Sequence, residues 1–311
     1  MGEKLSDVAK QAVVEAIKTP NWSLRTVRAE KFLKFNQDYF PQYVDELKGY
    51  AKGASVDFLN LYTLSLEDEV NEDYSHEKCT TLVTNDGKLL AHNEDWDKGS
   101  ENKICVVQKT VGGTVILELF YYNTLGGNSV SINQNGYIIA INSMVSSDAT
   151  IGVSKNFIGR WLSKTSDPEI DITKLKNMTR SSGHNINILH KDGALWNVEY
   201  TSHHLVASKP PTPFVHSNHY LSEISKYEAN TNKNGTFDRY KTAKEKTKLQ
   251  MNVDEVTALM NDESSGEIRS IMNERTVAKI IVDLPKNLAR IWLLRESELG
   301  FVDYNLKEIF D

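Results

Sequence analysis

The chain has 311 residues, 40% of them hydrophobic and 25% charged, which is ordinary for a globular protein and ample for a sizeable core. Its net charge of −6 argues against a broad nucleic-acid-binding surface, and no apolar run approaches the length needed to span a bilayer. Two cysteines are too few for a disulfide framework, and the first residues contain no apolar signal segment. We therefore predict a cytoplasmic protein without nucleic-acid or membrane partners.

Helical periodicity dominates the first part of the chain, up to about residue 70. Two apolar stripes carry it, one formed by Val8, Val13, Val14 and Ile17, the other by Phe32, Phe35, Tyr39, Tyr43 and Leu47. A third helix is predicted to begin at Val56, with Ser55 as its N-cap. The polar segment 71–78 is predicted as a loop that ends at Cys79.

From Cys79 onward the apolar residues alternate with a period of two, which indicates strands. Five hairpins are predicted, with turns at Asp86-Gly87, Gly112-Gly113, Asn135-Gly136, Asp192-Gly193 and 285–287. Helical patterns lie near 154–164, 238–250 and 253–261. Because the strands come as hairpins and not as βαβ units, the sequence predicts an α+β fold of antiparallel sheets covered by helices.

Cys79 stands at the start of the first predicted strand, where a rigid backbone would hold its thiol. Counting back from the Asp86-Gly87 turn places Cys79 opposite Glu94, with Asn93 and Asp95 on either side of that position. A thiol with polar neighbours on a two-stranded element indicates a nucleophile for covalent amide chemistry. Cys105, inside an apolar strand pattern, is predicted to be a core residue.

An ordinary thiol has a pKa of ~8.5 and needs a base to become a nucleophile at neutral pH. A histidine can serve, as in papain-like enzymes. The α-amino group of Cys79 can also serve, if the chain cuts itself between Lys78 and Cys79. The thiol would attack the Lys78 carbonyl, and water would release the resulting thioester.

Several segments resemble the motifs of one enzyme family. They are Cys79-Thr80-Thr81, His92-Asn93-Glu94-Asp95-Trp96, the segment 43–54, the strand 135–142 that ends in Asn142, and His216-Ser217-Asn218-His219. In this order and spacing they resemble the N-terminal-nucleophile (Ntn) hydrolases of the acyl-CoA:6-aminopenicillanate acyltransferase family. The choloylglycine (bile salt) hydrolases are more distant relatives of the same type.

The resemblance implies an αββα sandwich of two antiparallel sheets between helical layers, in one domain of residues 1–311. Autocatalytic cleavage would give a helical propeptide or α chain, 1–78, and a catalytic β chain, 79–311, held together noncovalently. The implied reaction is hydrolysis or acyl transfer at a linear amide C–N bond of a small N-acyl compound, through a thioester, with no metal and no cofactor. A homo-oligomer is compatible with this interpretation.

Carried over by position, the resemblance makes Cys79 the nucleophile and lets Asp95 orient its amine and thiol. Asn142 and Asn185 would stabilise the oxyanion, and Arg239 would lie close to the nucleophile. Four further residues are predicted to bind substrate or support the site, namely Thr80, His92, Asn93 and His184.

Two positions depart from the family pattern. His92 stands where the choloylglycine hydrolases have arginine, and Lys78 stands where the acyltransferases usually have glycine. Two other functions therefore stay open. One is an uncleaved, inactive relative that only binds a ligand, and the other is a papain-like cysteine peptidase that uses His184, His92 or His216 as its base.

Overall fold

The computed structural model describes residues 5–71, 79–97, 99–229 and 234–311. The helices are α1 (Ser6–Ala16), α2 (Trp22–Tyr39), α3 (Pro41–Ala54), α4 (Phe58–Ser65), α5 (Glu67–Val70), α6 (Lys155–Leu162), α7 (Pro168–Lys176), α8 (Asn234–Lys246), α9 (Val253–Met260) and α10 (Leu306–Phe310). The strands are β1 (Cys79–Thr84), β2 (Leu89–Asp95), β3 (Ile104–Val111), β4 (Thr114–Tyr121), β5 (Val130–Asn133), β6 (Tyr137–Ser143), β7 (His184–His190), β8 (Leu195–Tyr200), β9 (Leu205–Ser208), β10 (Phe214–His216), β11 (Thr276–Asp283), β12 (Leu288–Leu293) and β13 (Val302–Asn305). Within these ranges, none of the helices combines the length and apolar character needed to cross a membrane.

The strands form two antiparallel sheets. The first sheet has the order β10-β1-β2-β11-β12-β13, and the second runs β3-β4-β5-β6-β7-β8-β9 in chain order. All five predicted hairpins are present, as the pairs β1–β2, β3–β4, β5–β6, β7–β8 and β11–β12. The predicted α+β class with antiparallel sheets is therefore confirmed.

Three apolar cores separate four layers. The first core lies between helices α1–α4 and α6 on one side and one face of the second sheet on the other, and it contains Tyr43 and Ile186. The second core lies between the sheets, where Leu90 of the first sheet and Ile138 of the second are buried. The third core joins the other face of the first sheet to α9, through residues such as Met260. This order of helices, sheet, sheet and helices confirms the predicted αββα sandwich.

The turns of two hairpins, one from each sheet, touch each other. Gly87 in the β1–β2 turn has φ +75°, and a Cβ there would lie 2.2 Å from the carbonyl oxygen of Gly193 in the β7–β8 turn. A Cβ on Gly193, with φ +102°, would lie 2.4 Å from the carbonyl oxygen of Asp86. Lys88 Nζ also donates to the carbonyl of Lys191 at 3.0 Å. Both positions therefore need glycine, for the backbone angle and for the close approach.

The prediction that Ser55 caps the third helix was wrong. Ser55 follows α3 with a left-handed φ of 55°, and Asp57 caps α4 by accepting a hydrogen bond from the Asn60 backbone N–H at 2.9 Å. A carboxylate oxygen satisfies the first helical N–H groups and also favours the positive end of the helix dipole. The predicted loop 71–78 lies outside the described residues except for Asn71.

The helix predicted over 238–250 ends earlier, at Lys246. The segment after it is held by the β1–β2 turn, where Asn85 Nδ2 donates to the Met251 carbonyl at 2.7 Å and Met251 N–H donates to Asn85 Oδ1 at 2.8 Å. These tertiary bonds replace the helical ones. The elements α7, α10, β9, β10 and β13 were not predicted. The last four have three to five residues each, too few to show a clear periodicity.

Candidate active site

Cys79 is the first residue of β1 and pairs with Glu94 of β2, which confirms the register counted from the turn. Because side chains alternate along a strand, Cys79 and Thr81 share one face with His92 and Glu94. This face is turned toward the second sheet, since Thr81 bonds to Asn142 of β6. The Cys79 side chain is buried, with 3% of its residue surface exposed.

The backbone nitrogen of Cys79 is held by Asn218, which lies just after β10. The nitrogen donates to Asn218 Oδ1 at 2.9 Å, and Arg239 Nη2 donates to the same oxygen at 3.0 Å. Asn218 Nδ2 in turn donates to the Ser143 carbonyl at 2.9 Å, so each atom of this amide has a matching partner. The predicted position of Arg239 beside the nucleophile agrees with this geometry. Asn218 was not among the predicted site residues, although it stands in the motif His216-Ser217-Asn218-His219, which could have indicated it.

Glu94 collects four polar groups around one buried carboxylate. Tyr121 donates its hydroxyl to Oε1 at 2.8 Å, and Ser129 donates to Oε2 at 2.6 Å. His92 Nε2 lies 3.1 Å from Oε2, and the Cys79 Sγ lies 3.6 Å from the same oxygen. Sequence reasoning noted that Glu94 faces Cys79 but did not find the Tyr121 and Ser129 partners, which come from the second sheet.

Asn142 is held in place through its amide oxygen. Thr81 Oγ1 donates to Asn142 Oδ1 at 2.8 Å, and Asn187 Nδ2 donates to it at 3.2 Å. Asn142 is fully buried, yet its Nδ2 has no hydrogen-bond partner among the described residues. A buried N–H donor without an acceptor is costly and rare, and an oxyanion hole is one explanation for it.

Asp95 reaches Cys79 through its backbone, while its side chain turns to another segment. Its Oδ1 accepts from Thr276 Oγ1 at 2.7 Å, and its Oδ2 accepts from Asn273 Nδ2 at 3.1 Å. Burial raises the pKa of Asp95, against the opposing effects of Arg239 and of these two hydrogen bonds. The backbone N–H of Asp95 acts to lower the pKa of the Cys79 thiol.

The thiol of Cys79 is held in its neutral form by its surroundings. Burial raises its pKa well above the ordinary value, and the carboxylates of Glu94 and Asp95 raise it further. The Asp95 backbone N–H and the charge of Arg239 act in the opposite direction. The thiol therefore needs a base close by before it can attack a carbonyl.

Asn185, a predicted oxyanion donor, is bonded inside the second sheet. Its Nδ2 donates to Asn197 Oδ1 and to the Val198 carbonyl, and its Oδ1 accepts from Asn187 Nδ2 at 2.7 Å. Asn185 thus orients Asn187, which holds Asn142. In this arrangement the Asn185 donors are engaged, so the geometry gives it a supporting position.

Thr80 and Asn93 lie on the opposite face of the first sheet from the thiol. Asn93 Nδ2 donates to the carbonyls of Met260 and Ile271 at 2.9 and 2.8 Å, which fastens the outer helical layer to β2. Thr80 is fully buried. Both side chains therefore support the strands and do not line the space in front of Cys79.

A cavity opens in front of Cys79, and Trp96, Lys103, Tyr121 and His184 contribute to its wall. The rings of Trp96 and Tyr121 lie 5.6 Å apart. His184 is buried against Tyr200, whose hydroxyl lies 3.4 Å from its Nδ1. The predicted support residue His184 is thus part of the cavity wall.

His216, one of the candidate bases, has both ring nitrogens engaged. Its Nδ1 lies 2.7 Å from the Ser217 carbonyl oxygen, and its Nε2 lies 2.7 Å from Glu199 Oε1. Burial acts to raise the pKa of Glu199, but the bond and charge of His216 help to bring it below the usual value. His216 and Glu199 are therefore joined by a buried hydrogen bond, and neither ring nitrogen is turned to the thiol.

Comparisons with known proteins found a family model, a curated relative and solved structures that are similar to this chain. Residues 82–292 match the sequence model of the acyl-coenzyme A:6-aminopenicillanic acid acyl-transferase family. A β-alanyl-dopamine/carcinine hydrolase of Drosophila melanogaster is 29% identical over 163 residues, which cover 45% of this chain and 42% of that protein. The match therefore spans less than half of that relative.

Two solved structures are similar to this chain at 12% identity and a TM-score of 0.48. One is a mutant conjugated bile acid hydrolase from Clostridium perfringens, with 76% of this chain and 94% of that chain covered. The other is a penicillin V acylase from Agrobacterium tumefaciens, with 70% and 83% covered.

Proposed function

Because this chain belongs to the acyl-coenzyme A:6-aminopenicillanic acid acyl-transferase family, we propose that it is a cysteine Ntn amidohydrolase or acyltransferase. Its substrate would be a small N-acyl compound with a linear amide C–N bond. Cys79 is the nucleophile, and it becomes an N-terminal residue when the Lys78–Cys79 bond is cut. Lys78 lies outside the described residues.

The hydrogen bond from the Cys79 nitrogen to Asn218 Oδ1, at 2.9 Å, carries this proposal. A nucleophile that uses only its thiol does not need a side chain to orient its backbone nitrogen. An Ntn enzyme does, because the nitrogen becomes the α-amine that moves the proton. Arg239 supports this arrangement with two hydrogen bonds, one to Asn218 Oδ1 and one to the Cys79 carbonyl oxygen at 3.4 Å.

Self-cleavage would begin with attack of the Cys79 sulfur on the Lys78 carbonyl carbon. The peptide C–N bond breaks as a C–S bond forms, and the nitrogen of Cys79 takes up a proton to become an amine. Water then hydrolyses the thioester, which leaves a carboxylate on Lys78 and a free thiol and amine on Cys79. The carboxylate of Glu94, 3.6 Å from the sulfur, would accept the thiol proton in the first step.

In turnover, the α-amine of Cys79 takes the thiol proton and the sulfur attacks the acyl carbon of the substrate. The oxyanion that forms would be stabilised by Asn142 Nδ2, the buried donor without a partner in the described residues. The proton then passes from the α-amine to the leaving nitrogen. Water, or a second amine, resolves the thioester. We assign this donor role to Asn142 and not to Asn185, whose Nδ2 is engaged by Asn197 and Val198.

One observation favours a second candidate mechanism, in which a histidine is the base. His92 Nε2 contacts the same Glu94 oxygen that lies beside the sulfur. In that case the enzyme would act as an uncleaved cysteine amidase or peptidase. The cut before Cys79 separates the two mechanisms, because a thiol–histidine enzyme is active as a single chain and an Ntn enzyme needs the α-amine that the cut releases.

The decisive experiment combines intact mass with turnover on one preparation. Wild type, Cys79→Ala and the control Cys105→Ala are purified, and their masses are measured under denaturing conditions. Cys105 packs with Phe120 and Tyr122 in a separate small cluster, which makes it a matched thiol control. N-acyl amino acids, penicillins and β-alanyl amines form the substrate panel, the last because the Drosophila relative is named for that activity.

We expect wild type and Cys105→Ala to give two fragments split before Cys79 and to hydrolyse at least one class of the panel. Cys79→Ala should stay a single, inactive chain. A wild type that turns over substrate while remaining one chain would reject the Ntn mechanism. A folded single chain that binds a panel compound without turnover would instead identify an inactive relative.

A further inference from the structure

Three atoms of the kind that bind transition metals meet at the nucleophile. They are Cys79 Sγ, His92 Nε2 and a carboxylate oxygen of Glu94, which all lie within 4.8 Å of one another. The three residues are buried, with at most 3% of any of them exposed. Thiolate, imidazole and carboxylate are the ligand types of zinc sites, and three protein ligands leave a fourth position for water.

The distances are close to those of a tetrahedral zinc site. Zinc lies about 2.3 Å from sulfur, about 2.0–2.1 Å from nitrogen and about 2.0–2.2 Å from oxygen, so ligand pairs in a tetrahedron are separated by about 3.4–3.6 Å. Here Sγ lies 3.6 Å from Glu94 Oε2, and His92 Nε2 lies 3.1 Å from it. The nitrogen–oxygen pair would need to lengthen by a few tenths of an ångström, and the Sγ–Nε2 pair lies within 4.8 Å.

The hydrogen bonds of His92 direct a lone pair into this space. Thr81 uses its one proton to donate to Asn142 Oδ1 at 2.8 Å, so Thr81 Oγ1 must accept from His92 Nδ1, also at 2.8 Å. The proton on Nδ1 leaves Nε2 as an acceptor, facing Glu94 Oε2 at 3.1 Å. Two acceptors at this distance require a cation between them, which is either a proton or a metal ion.

The carboxylate is also held in place for a ligand role. Tyr121 donates to Oε1 and Ser129 donates to Oε2 of Glu94, at 2.8 and 2.6 Å. Partners of this kind orient metal ligands in known sites. Glu94 lies in β2, Tyr121 ends β4 and Ser129 directly precedes β5. The carboxylate and its partners are therefore held by the strands of the two sheets.

We propose that Cys79, His92 and Glu94 bind one thiophilic divalent cation, of which Zn²⁺ is the type. On binding, the thiol and the His92–Glu94 pair each give up a proton to solvent, and the ion takes their place. The bound thiolate can no longer attack a carbonyl, so the ion is an inhibitor and not a cofactor. Only this inhibition rests on the proposed function, because binding itself does not depend on turnover. Mg²⁺ and Ca²⁺, which prefer oxygen ligands, should not compete.

The test uses the full chain, freed of metal with a chelator that is then removed. Zn²⁺ is titrated calorimetrically, and Co²⁺ serves as a spectroscopic probe because thiolate ligation gives a charge-transfer band. Glu94→Gln, His92→Gln and Cys79→Ser test the ligands, and Cys105→Ser is the matched control. Circular dichroism shows whether each variant is folded.

We expect one equivalent of Zn²⁺ on wild type and on Cys105→Ser, with a charge-transfer band for Co²⁺. Each ligand variant should bind at least about tenfold more weakly, and Cys79→Ser should lose the band. No stoichiometric binding, or binding that survives in folded Glu94→Gln and His92→Gln, would overturn the site. Turnover measured in chelator keeps the two proposals apart, since it tests the enzyme without the ion.

Discussion

The amide of Asn142 is hydrogen-bonded through its oxygen, while its nitrogen has no partner among the residues that the structure describes. Thr81 and Asn187 both donate to Oδ1, which fixes the direction of Nδ2. The arrangement costs stability, because a buried donor remains unsatisfied within the described part of the chain. An oxyanion would satisfy it only during the reaction, which is the condition for raising the rate.

Asn142→Ala should therefore lower kcat by roughly 10²–10³-fold. It should also cost stability, because the buried donors of Thr81 and Asn187 lose their acceptor. Asn185→Ala is the matched variant, and its effect on kcat should be smaller, because Asn185 acts only through Asn187. Steady-state kinetics and thermal unfolding on the same samples check both. Equal losses of kcat in the two variants would contradict the assignment of the donor to Asn142.

Lys279 is a buried charge next to the active-site layer. It is 2% exposed, and burial lowers its pKa to about 8, although Asp95 and Glu263 act to raise it. Its Nζ donates to Asn261 Oδ1 and lies 4.4 Å from the centre of the Trp292 ring. Its pKa is ~10.4 in the unfolded chain, so between pH 8 and about 10.4 the unfolded state binds more protons and stability rises with pH.

Below pH 8 the full cost of burying the charge is present. Lys279→Met should therefore stabilise the protein at pH 7 by on the order of 1 kcal/mol, and this advantage should shrink toward pH 10. Urea unfolding at a series of pH values measures it. An advantage that is the same at pH 7 and pH 10 would show that packing, and not the charge, is responsible.

At the level of the elements, the contact between the β1–β2 and β7–β8 turns joins the two sheets. Gly87→Ala would place a Cβ 2.2 Å from the Gly193 carbonyl oxygen, at a positive φ. We expect a loss of about 2–4 kcal/mol, from the unfavourable backbone angle and from the forced separation of the turns. Gly113→Ala is the matched control, because φ there is +83° with nothing within 4 Å, and it should cost only about 1 kcal/mol. Equal losses in urea unfolding would mean that the turns separate without cost.

The hairpins were predictable because their signals are local. Turn residues such as Asn135-Gly136 stand between alternating strands, and the register of Cys79 opposite Glu94 followed from counting across one turn. Asn218 could not be placed in this way. Its contact with Cys79 joins residues 139 positions apart in sequence, and it depends on the pairing of β10 with β1. Tyr121 and Ser129, the partners of Glu94 from the other sheet, could not be predicted for the same reason.

The choice of the N-cap residue shows, at a smaller scale, what cannot be predicted from the sequence alone. Ser55 and Asp57 are both acceptable N-caps by residue type, and the sequence does not say which one begins the helix. The end of α3 determines which residue caps α4, because Ser55 has the left-handed conformation that ends α3.

The roles predicted for Asp95, Asn185 and Arg239 stay predictions until turnover is measured.

For the whole molecule, the four layers place the nucleophile between two sheets that are joined at two points along the β1–β2 hairpin. Within β1, Thr81 bonds to Asn142, and at the hairpin turn Gly87 touches Gly193. The site is therefore built from the relation between the sheets, and not from a loop that could move independently. This explains why its key side chains are buried almost completely.

The position of β2 between β1 and β11 also determines when the site can exist during synthesis. Asp95 bonds to Thr276, a residue 181 positions later in the chain, and β10 supplies the other neighbour of β1. A growing chain on the ribosome lacks both neighbours for most of its elongation, and such long-range pairing forms slowly. The proposed cut before Cys79 therefore has to wait until the last third of the chain has emerged and folded. The appearance of two fragments would report completed folding, and not the time elapsed since synthesis.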